Sequence, residues 1–244
     1  MLAKDELTRY DRQIMLKGLG RDGQEKLKKA RVFVAGAGGL GSPISIYLAV
    51  AGVGNIKIVD HDTIELSNLN RQILHGDEDI GKRKTDSAIQ KLKGLNKDIN
   101  VEAVAETITE KNVAELVGDC DLIVDAMDNL PTRYLLNRTA ISKNIPFFHG
   151  AVYGFEGRAM TVIPGETACL WCIYQGRVTR GKFPVIGVAP AVIGCLQATE
   201  VIKYLAGFGE LLTGQLLIYD GLNLEFTKLE IKRDPNCQHC GHLK

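Results

Sequence analysis

The run RVFVAGAGGLGSPISIYLAVAGVGNIKIVD, residues 31–60, constrains this chain more than any other. A short β-branched stretch, RVFVAG (31–36), leads into Gly36, Gly38 and Gly41 in a G-x-G-x-x-G pattern. LGSPISIYLAVAG (40–52) follows with helical apolar spacing and stops at Gly52 and Gly54, and a second strand, NIKIVD (55–60), ends on Asp60. Glycines at such a turn allow tight backbone, let phosphates approach the main chain and aim helix N–H groups at an anion. Asp60 follows Gly41 at about the twenty-residue spacing at which an acid meets a ribose hydroxyl. Glycines alone also serve close packing, but in this strand–loop–helix–strand–acid setting they point to a nucleotide, whose identity the pattern leaves open.

The same alternation continues. KTDSAIQKLKGLN (84–96) is an amphipathic helix with Ala88, Ile89, Leu92 and Leu95 on one face. INVEAVAE (99–106) alternates as a strand, DLIVDAMDN (121–129) is a buried strand running into a loop, and the helix over 131–144 opens with Pro131. IPFFHGAV is a further strand. After about residue 150 the rhythm changes: EGRAMTVI (156–163) is a strand with no helix before it, residues 189–207 form the longest helix, and QLLIYDG with NLEFTKLEI makes an antiparallel hairpin at Asp220–Gly221. The fold class is therefore α/β, a Rossmann-like doubly wound sheet whose parallel N-terminal part is continued by antiparallel C-terminal strands. The chain reads as one domain over 1–244, with N-terminal helices in 1–30, a nucleotide-binding half in 31–150 and a second half in 151–244.

Which nucleotide is a question of charge. A pyrophosphate carries about two charges and is held by a helix N-terminus, whereas ATP carries about four and calls for cations and usually Mg²⁺. Arg71 follows the Asp60 loop, Lys84 opens the next helix, and Asp128 lies in the loop after DLIVDA, where an acid among cations suits Mg²⁺. Each has a plainer reading: a surface ion pair for Arg71, a solvated lysine of GKRK for Lys84, a helix cap for Asp128. Together they favour ATP. Asp125, the rival of Asp128, falls within the strand end.

Formal net charge of +1 argues against a dominant nucleic-acid footprint, and no apolar run approaches the ~20 residues of a membrane span. The N-terminal MLAKDELTRYDRQ has no apolar signal-peptide core, so the expected address is cytoplasmic. Cysteines then need a use other than disulfides. Cys169-x-x-Cys172 and Cys237-x-x-Cys240 supply four thiolates for a tetrahedral, structural Zn²⁺; a redox pair and two disulfides are the alternatives, and neither pair is expected at a helix start. His239 reads as pointing to solvent, Cys195 as core and Cys120 as leading into a buried strand.

RYDRQIML, GAGGLGSP, AGVGNIKIVDHDTIELSNLNRQ, the lysine of GKRKTD, DAMDN and the two C-x-x-C pairs closely resemble the ThiF/MoeB/HesA adenylyltransferases, relatives of the ubiquitin-activating enzymes. The resemblance runs in order along nearly the whole chain. It implies adenylation, by ATP with Mg²⁺, of the C-terminal glycine of a ubiquitin-fold sulfur-carrier protein ending in Gly-Gly, of the molybdopterin or thiamine type. Carried over by motif, Gly39, Asp60, the run Ser67, Asn68, Leu69, Asn70 and Arg71, then Lys84, Asp128 and Asn129 would contact ATP or its metal. Arg12 of RYDRQ would reach the partner's site in a homodimer. Many relatives carry a further cysteine before the last long helix. Here YQGRVTRGKFPVIGVAP has none, its place falling near Phe183–Pro184, which argues that the reaction stops at the adenylate. Arg177, Arg180 and Lys182 make that loop a candidate strap over the carrier's tail.

Three other readings compete. An NAD-dependent oxidoreductase would use the same glycine loop but leave Arg71 and Lys84 idle. A tRNA-modifying adenylating relative would typically lack the zinc cysteines. A non-catalytic carrier-binding scaffold has no need of the full set Arg12, Arg71, Lys84 and Asp128.

Overall fold

The computed structural model describes residues 1–177 and 183–243. Helices α1 (Lys4–Arg9), α2 (Asp11–Ile14) and α3 (Gly20–Lys29) precede strand β1 (Arg31–Ala35). There follow α4 (Gly41–Ala51), β2 (Asn55–Val59), α5 (Lys84–Leu95), β3 (Asn100–Val104), α6 (Val113–Val117) and β4 (Leu122–Asp125). Then come α7 (Leu130–Lys143), β5 (Phe147–Tyr153), β6 (Glu156–Val162), α8 (Leu170–Tyr174), α9 (Val188–Ala206), β7 (Gln215–Asp220) and β8 (Glu225–Glu230).

All eight strands join one sheet in the order β3-β2-β1-β4-β5-β6-β7-β8. Pairing is parallel from β3 to β5 and antiparallel from β5 to β8, as the change of rhythm near residue 150 foretold. Alternate residues of β1 enter different cores, because side chains along a strand point to opposite faces. Val32 and Val34 pack with Ile44 and Leu48 of α4, Leu92 of α5 and Val201 of α9. Phe33 and Ala35 pack with Val117 of α6 and Leu136 of α7. A strand covered on both faces has no polar side to show, which is why RVFVA is apolar beyond its first residue.

Helix α9 meets the length and mean hydropathy of a membrane span, unlike the sequence reading, which saw no such run. Here it is a core helix. It lies on α4 and on β5 and β6, and its buried polar residues, Gln197 and Glu200, face protein partners. Gln197 Nε2 donates to the carbonyls of Asp125 and Phe148 at 2.8 and 3.0 Å, and Glu200 Oε2 accepts from Thr161 Oγ1 at 2.7 Å. Gly207, at φ +78°, ends it in the left-handed conformation that stops a helix.

Details differ from expectation. Leu95, placed on the buried face of α5, is exposed; it is the last residue of the helix, while Leu92 one turn before it is fully buried. Helices α6 and α8, five residues each, went unread, being too short to show a period. Cys195 is half-buried on α9, not core.

Candidate nucleotide and metal sites

The sheet reverses its winding direction between β1 and β4, which are neighbours although β2 and β3 intervene in sequence. Loops leaving the carboxyl ends of two such strands diverge and open a crevice. The Ala126 N–H donates to Ala35 O at 2.9 Å, so residues 126–129 begin directly beside the glycine loop. Gly36 has φ +104°, and a Cβ there would stand 2.8 Å from Ala126 O. At Gly41 a Cβ would stand 2.0 Å from Gly36 O. These two glycines are demanded by the turn itself, the plainer of the two explanations for the pattern. Its result is chemical all the same: among the described residues, none accepts a hydrogen bond from the N–H groups of Gly38, Gly39, Leu40 or Gly41. An arc of free amides at the start of an eleven-residue helix is a place for phosphate.

Around the arc, the expected residues fall into three groups. Asp60, just past β2, accepts from the N–H groups of Ala37 at 2.8 Å and Asp62 at 2.9 Å. Each oxygen keeps a lone pair for a ribose hydroxyl. Ser67 and Asn68 sit in a 3₁₀ turn that Asn68 Oδ1 braces by accepting from the Glu65 N–H at 3.1 Å. Leu69 and Asn70 carry the chain on to Arg71, whose aliphatic stem would touch a Cβ at Gly39 at 3.5 Å. Its Nη1 donates to Ser67 O and Asn70 Oδ1 at 2.9 and 3.0 Å, and no carboxylate pairs with it among the described residues. The surface-ion-pair reading of Arg71 thus fails. So does the solvated reading of Lys84: it is 5% exposed, and its Nζ pairs with Asp62 Oδ2 at 2.7 Å.

Asp128 is exposed at the crevice, and Asn129, not Asp128, caps α7 by accepting from the Thr132 N–H at 3.0 Å. Asp125 lies in the strand end as expected, fully buried. Its Oδ2 is 2.6 Å from His149 Nδ1 and 3.4 Å from Arg133 Nε, while Arg133 also donates to the carbonyls of Met127 and Gly150. Burial lowers the pKa of His149 against the pull of Asp125, and Arg133, which already neutralises that carboxylate, works with burial. His149 Nε2 has no acceptor among the described residues, so a second proton there would be left unbonded in the core. This group braces the loop that presents Asp128. Sequence reading missed it because its members come from β4, α7 and β5.

Arg12 is exposed and stands apart. Its neighbour Gln13 donates to Ala51 O at 3.0 Å, at the far end of α4 from the glycine loop. At 1.5 Å per residue, α4 puts about 15 Å between them.

The four cysteines converge. Cys169 Sγ is 3.6 Å from Cys237 Sγ and 3.9 Å from Cys172 Sγ, Cys172 Sγ is 3.5 Å from Cys240 Sγ, and all four lie within 4.8 Å of one another. A tetrahedron of Zn–S bonds of about 2.3 Å has edges of about 3.8 Å, so the thiols already stand at its corners. All are free of disulfides. Burial pushes Cys169 up and Cys240 up to about 11. At Cys237 burial is outweighed by hydrogen bonds from the backbone of Cys240 and His239 and from the neighbouring thiols, and its pKa is lowered. A bound cation would favour the thiolate at all four. One ground for setting aside a redox pair does not survive: Cys169 is the N-cap of α8, so its C-x-x-C does begin a helix. Convergence of all four thiols replaces it. His239 is not solvent-facing. It stacks on Trp171 at 4.4 Å, its Nδ1 meets Asn137 Nδ2 at 3.0 Å, and burial lowers its pKa to about 4.

The crossover loop is pinned at its far end, where the Gly154 N–H donates to Pro184 O at 2.8 Å and Phe183 stacks on Tyr153. Of the basic strap, Arg180 and Lys182 lie outside the described residues. Its end reaches the nucleotide crevice, since a Cβ on Gly187 would stand 2.3 Å from Asn70 O.

The ThiF family profile matches residues 10–239. The SAMP-activating enzyme E1 of Haloferax volcanii is 44% identical over 242 residues, covering 97% of this chain and 89% of its own. The sulfur carrier protein adenylyltransferase of Thermus thermophilus is 43% identical over 249 residues, covering 98% and 92%. Among solved structures, Escherichia coli MccB with AMPCPP and MccA superposes with a TM-score of 0.87 at 26% identity, covering 97% of this chain and 75% of that one.

Proposed function

The chain belongs to the ThiF family, and we propose that it adenylates the C-terminal glycine of a ubiquitin-fold sulfur-carrier protein with ATP. The observation that carries this reading is the arc of N–H groups at Gly38–Gly41 that find no acceptor among the described residues, with Arg71, which pairs with no carboxylate among them, against it. Two relatives whose names state activation or adenylation of such proteins support the substrate class, and MccB supports joint binding of a nucleotide and a second polypeptide on this fold.

The chemistry needs no nucleophile from the enzyme. The carrier's terminal carboxylate, ionised at neutral pH, attacks the α-phosphorus. A new C–O–P linkage forms, the bond to the bridging oxygen breaks, and pyrophosphate leaves with its electron pair. Asp60 holds the ribose. The glycine-loop amides, Arg71 and Lys84 oppose phosphate charge, with Lys84 exchanging Asp62 for the phosphate. Asp128, with Asn129 beside it, would hold Mg²⁺, which neutralises phosphate charge when bound. Arg12, about a helix length away in its own chain, would serve the partner's site in a homodimer. Cys169, Cys172, Cys237 and Cys240 would hold Zn²⁺ with all four positions filled, so that its role would be structural. With no cysteine in the crossover loop, the reaction ends at the acyl adenylate. Residues 1–244 act as one cytoplasmic domain on this reading, the nucleotide in 31–150 and the carrier on 151–244.

ATP–pyrophosphate exchange with Mg²⁺ and a panel of Gly-Gly carriers tests it. Exchange is expected with one carrier and disappears when its last glycine is deleted. ATP binding without exchange for any carrier would overturn the proposal in favour of the tRNA or scaffold readings, and tight NADH binding without ATP binding would favour the oxidoreductase.

A further inference from the structure

Ala37, inside the glycine loop, is held at both of its backbone polar atoms. Its N–H donates to Asp60 Oδ2 at 2.8 Å, and its carbonyl oxygen lies 3.0 Å from Nε2 of His75. His75 is buried, four residues beyond Arg71, and the adenylation chemistry makes no direct use of it. Its Nδ1 is 2.9 Å from Ser87 Oγ on α5, and that hydroxyl is 3.1 Å from Oδ2 of the buried Asp79.

Counting hydrogens sets the tautomer. A carbonyl oxygen only accepts, so Nε2 carries the hydrogen. In a neutral ring Nδ1 is then bare and faces the Ser87 hydroxyl. That one hydrogen is shared between two acceptors, Nδ1 and the Asp79 carboxylate, to which Ser87 Oγ donates at 3.1 Å. Asp79 also accepts from the Gly76 N–H at 3.1 Å and Lys82 Nζ at 3.0 Å, with Lys91 Nζ at 3.3 Å. Burial alone would raise the Asp79 carboxyl; these donors outweigh it and hold it well below the usual carboxylate range. Burial lowers His75, with Lys84 pushing the same way and the Ala37 carbonyl, Asp79 and Asp60 pulling against it.

The consequence lies one peptide further on. In a trans peptide the C=O of Ala37 and the N–H of Gly38 point in opposite directions, so tying the carbonyl to His75 turns the Gly38 N–H away from the protein interior. The Gly38 carbonyl is tied down as well, by the Ser42 N–H at 2.9 Å and Ser42 Oγ at 2.8 Å. Two consecutive carbonyls are anchored inward, and the amides beyond them find no acceptor among the described residues. We propose that His75 is a positioning residue of the nucleotide site: its Nε2–H, oriented by Ser87, fixes the Ala37–Gly38 peptide so that the Gly38 N–H is presented to a phosphate of the nucleotide. This deepens the assignment of the glycine loop to ATP and rests on it.

Calorimetric titration of the full chain with ATP and Mg²⁺ tests the role, with ¹⁵N NMR of the imidazole as the second measurement. His75→Leu should weaken ATP binding about tenfold or more, the cost expected of losing one preorganised donor to a charged group. His75→Gln places an amide N–H where Nε2–H stood and should restore binding to within about threefold of the parent. The parent ring should show the Nε2–H tautomer, and Ser87→Ala should admit the Nδ1–H form. An Nδ1–H ring in the parent, His75→Leu binding ATP as well as the parent, or His75→Gln failing along with His75→Leu would each overturn the role while the ATP assignment stands. A parent that binds no ATP would sink the nucleotide assignment and this role with it.

Discussion

The two halves of the sheet hold their working groups by opposite means. In the parallel half, β1 to β5, the nucleotide crevice is made of loops that leave neighbouring strands at one edge. Its glycine arc, Asp60 and Arg71 come from one stretch of chain, residues 36–71. In the antiparallel half the four-cysteine cluster joins two distant pieces, the α8 turn with Cys169 and Cys172 and the tail with Cys237 and Cys240. Every residue of β8 is exposed, and the tail beyond it is held by His239 stacked on Trp171 and bonded to Asn137 and by Arg233, which is tied by hydrogen bonds to the carbonyls of Gly165, Cys240 and Leu243. Parallel strands with covered faces supply their own core and can spend residues on ligands. An exposed edge hairpin leaves its tail to be held by a cluster of four thiols.

The largest effect should come from breaking the metal centre. Cys237→Ser removes one of four thiolates, and bound zinc measured by atomic emission should fall from about one per chain to near zero. The expected stability loss is about 3–5 kcal/mol, seen as a fall of about 10 °C in the thermal midpoint. If the halves are as separate as they look, ATP affinity should change by less than about threefold. A parallel collapse of ATP binding would break the contrast.

Arg71→Ala addresses the other half. Loss of one cation from the phosphate site should slow ATP–pyrophosphate exchange about 10²- to 10³-fold, with zinc content and thermal midpoint unchanged. Exchange within about threefold of the parent would remove Arg71 from the site. Asn129→Ala costs less: the cap of α7 accepts one N–H bond, worth about 1 kcal/mol in a denaturation experiment.

The smallest expected effect is a slope with pH. His75 and His149 both have folded pKa values pulled below their unfolded value of about 6.5 by burial. Between those values the unfolded chain binds protons that the folded chain refuses, so stability is full above about pH 6.5 and declines as pH falls below it. Urea midpoints at pH 7.5 and 6 should show the decline, and His75→Gln should flatten part of it. A stability that rises on acidification would contradict the burial of both rings.

Much of the site could be read before any fold was known, because its residues are consecutive or carry a spacing. Gly36, Gly38 and Gly41 announce their turn, Asp60 its distance from them, and each C-x-x-C its pair. Other members had no such signal. His75 is a lone histidine after RQIL, and Asp79 in DEDIGKRK looks like one of a solvated charge run, yet both are buried and hydrogen-bonded to Ser87. Asp62, the partner of Lys84, is one of two aspartates flanking a histidine and nothing in the pattern singles it out. Asp125, His149 and Arg133 meet only because β4 and β5 pair and α7 folds back over them. His239 looked solvated because its stacking partner, Trp171, lies on a different segment.

What the sequence by itself determined is the strands and the longer helices, their change from parallel to antiparallel pairing, and the types of residue offered to a nucleotide and to a metal. Those follow from periodicity and spacing, which act between residues close in the chain. The tertiary structure alone decided which amides stay free, which lysine is buried against which aspartate, that Arg12 stands about a helix length from its own glycine loop, and that four thiols reach the corners of one tetrahedron. Each of these depends on a contact between residues far apart in the chain. Such a contact is selected by which surfaces must be covered and which buried donors must find acceptors, and neither requirement leaves a local trace.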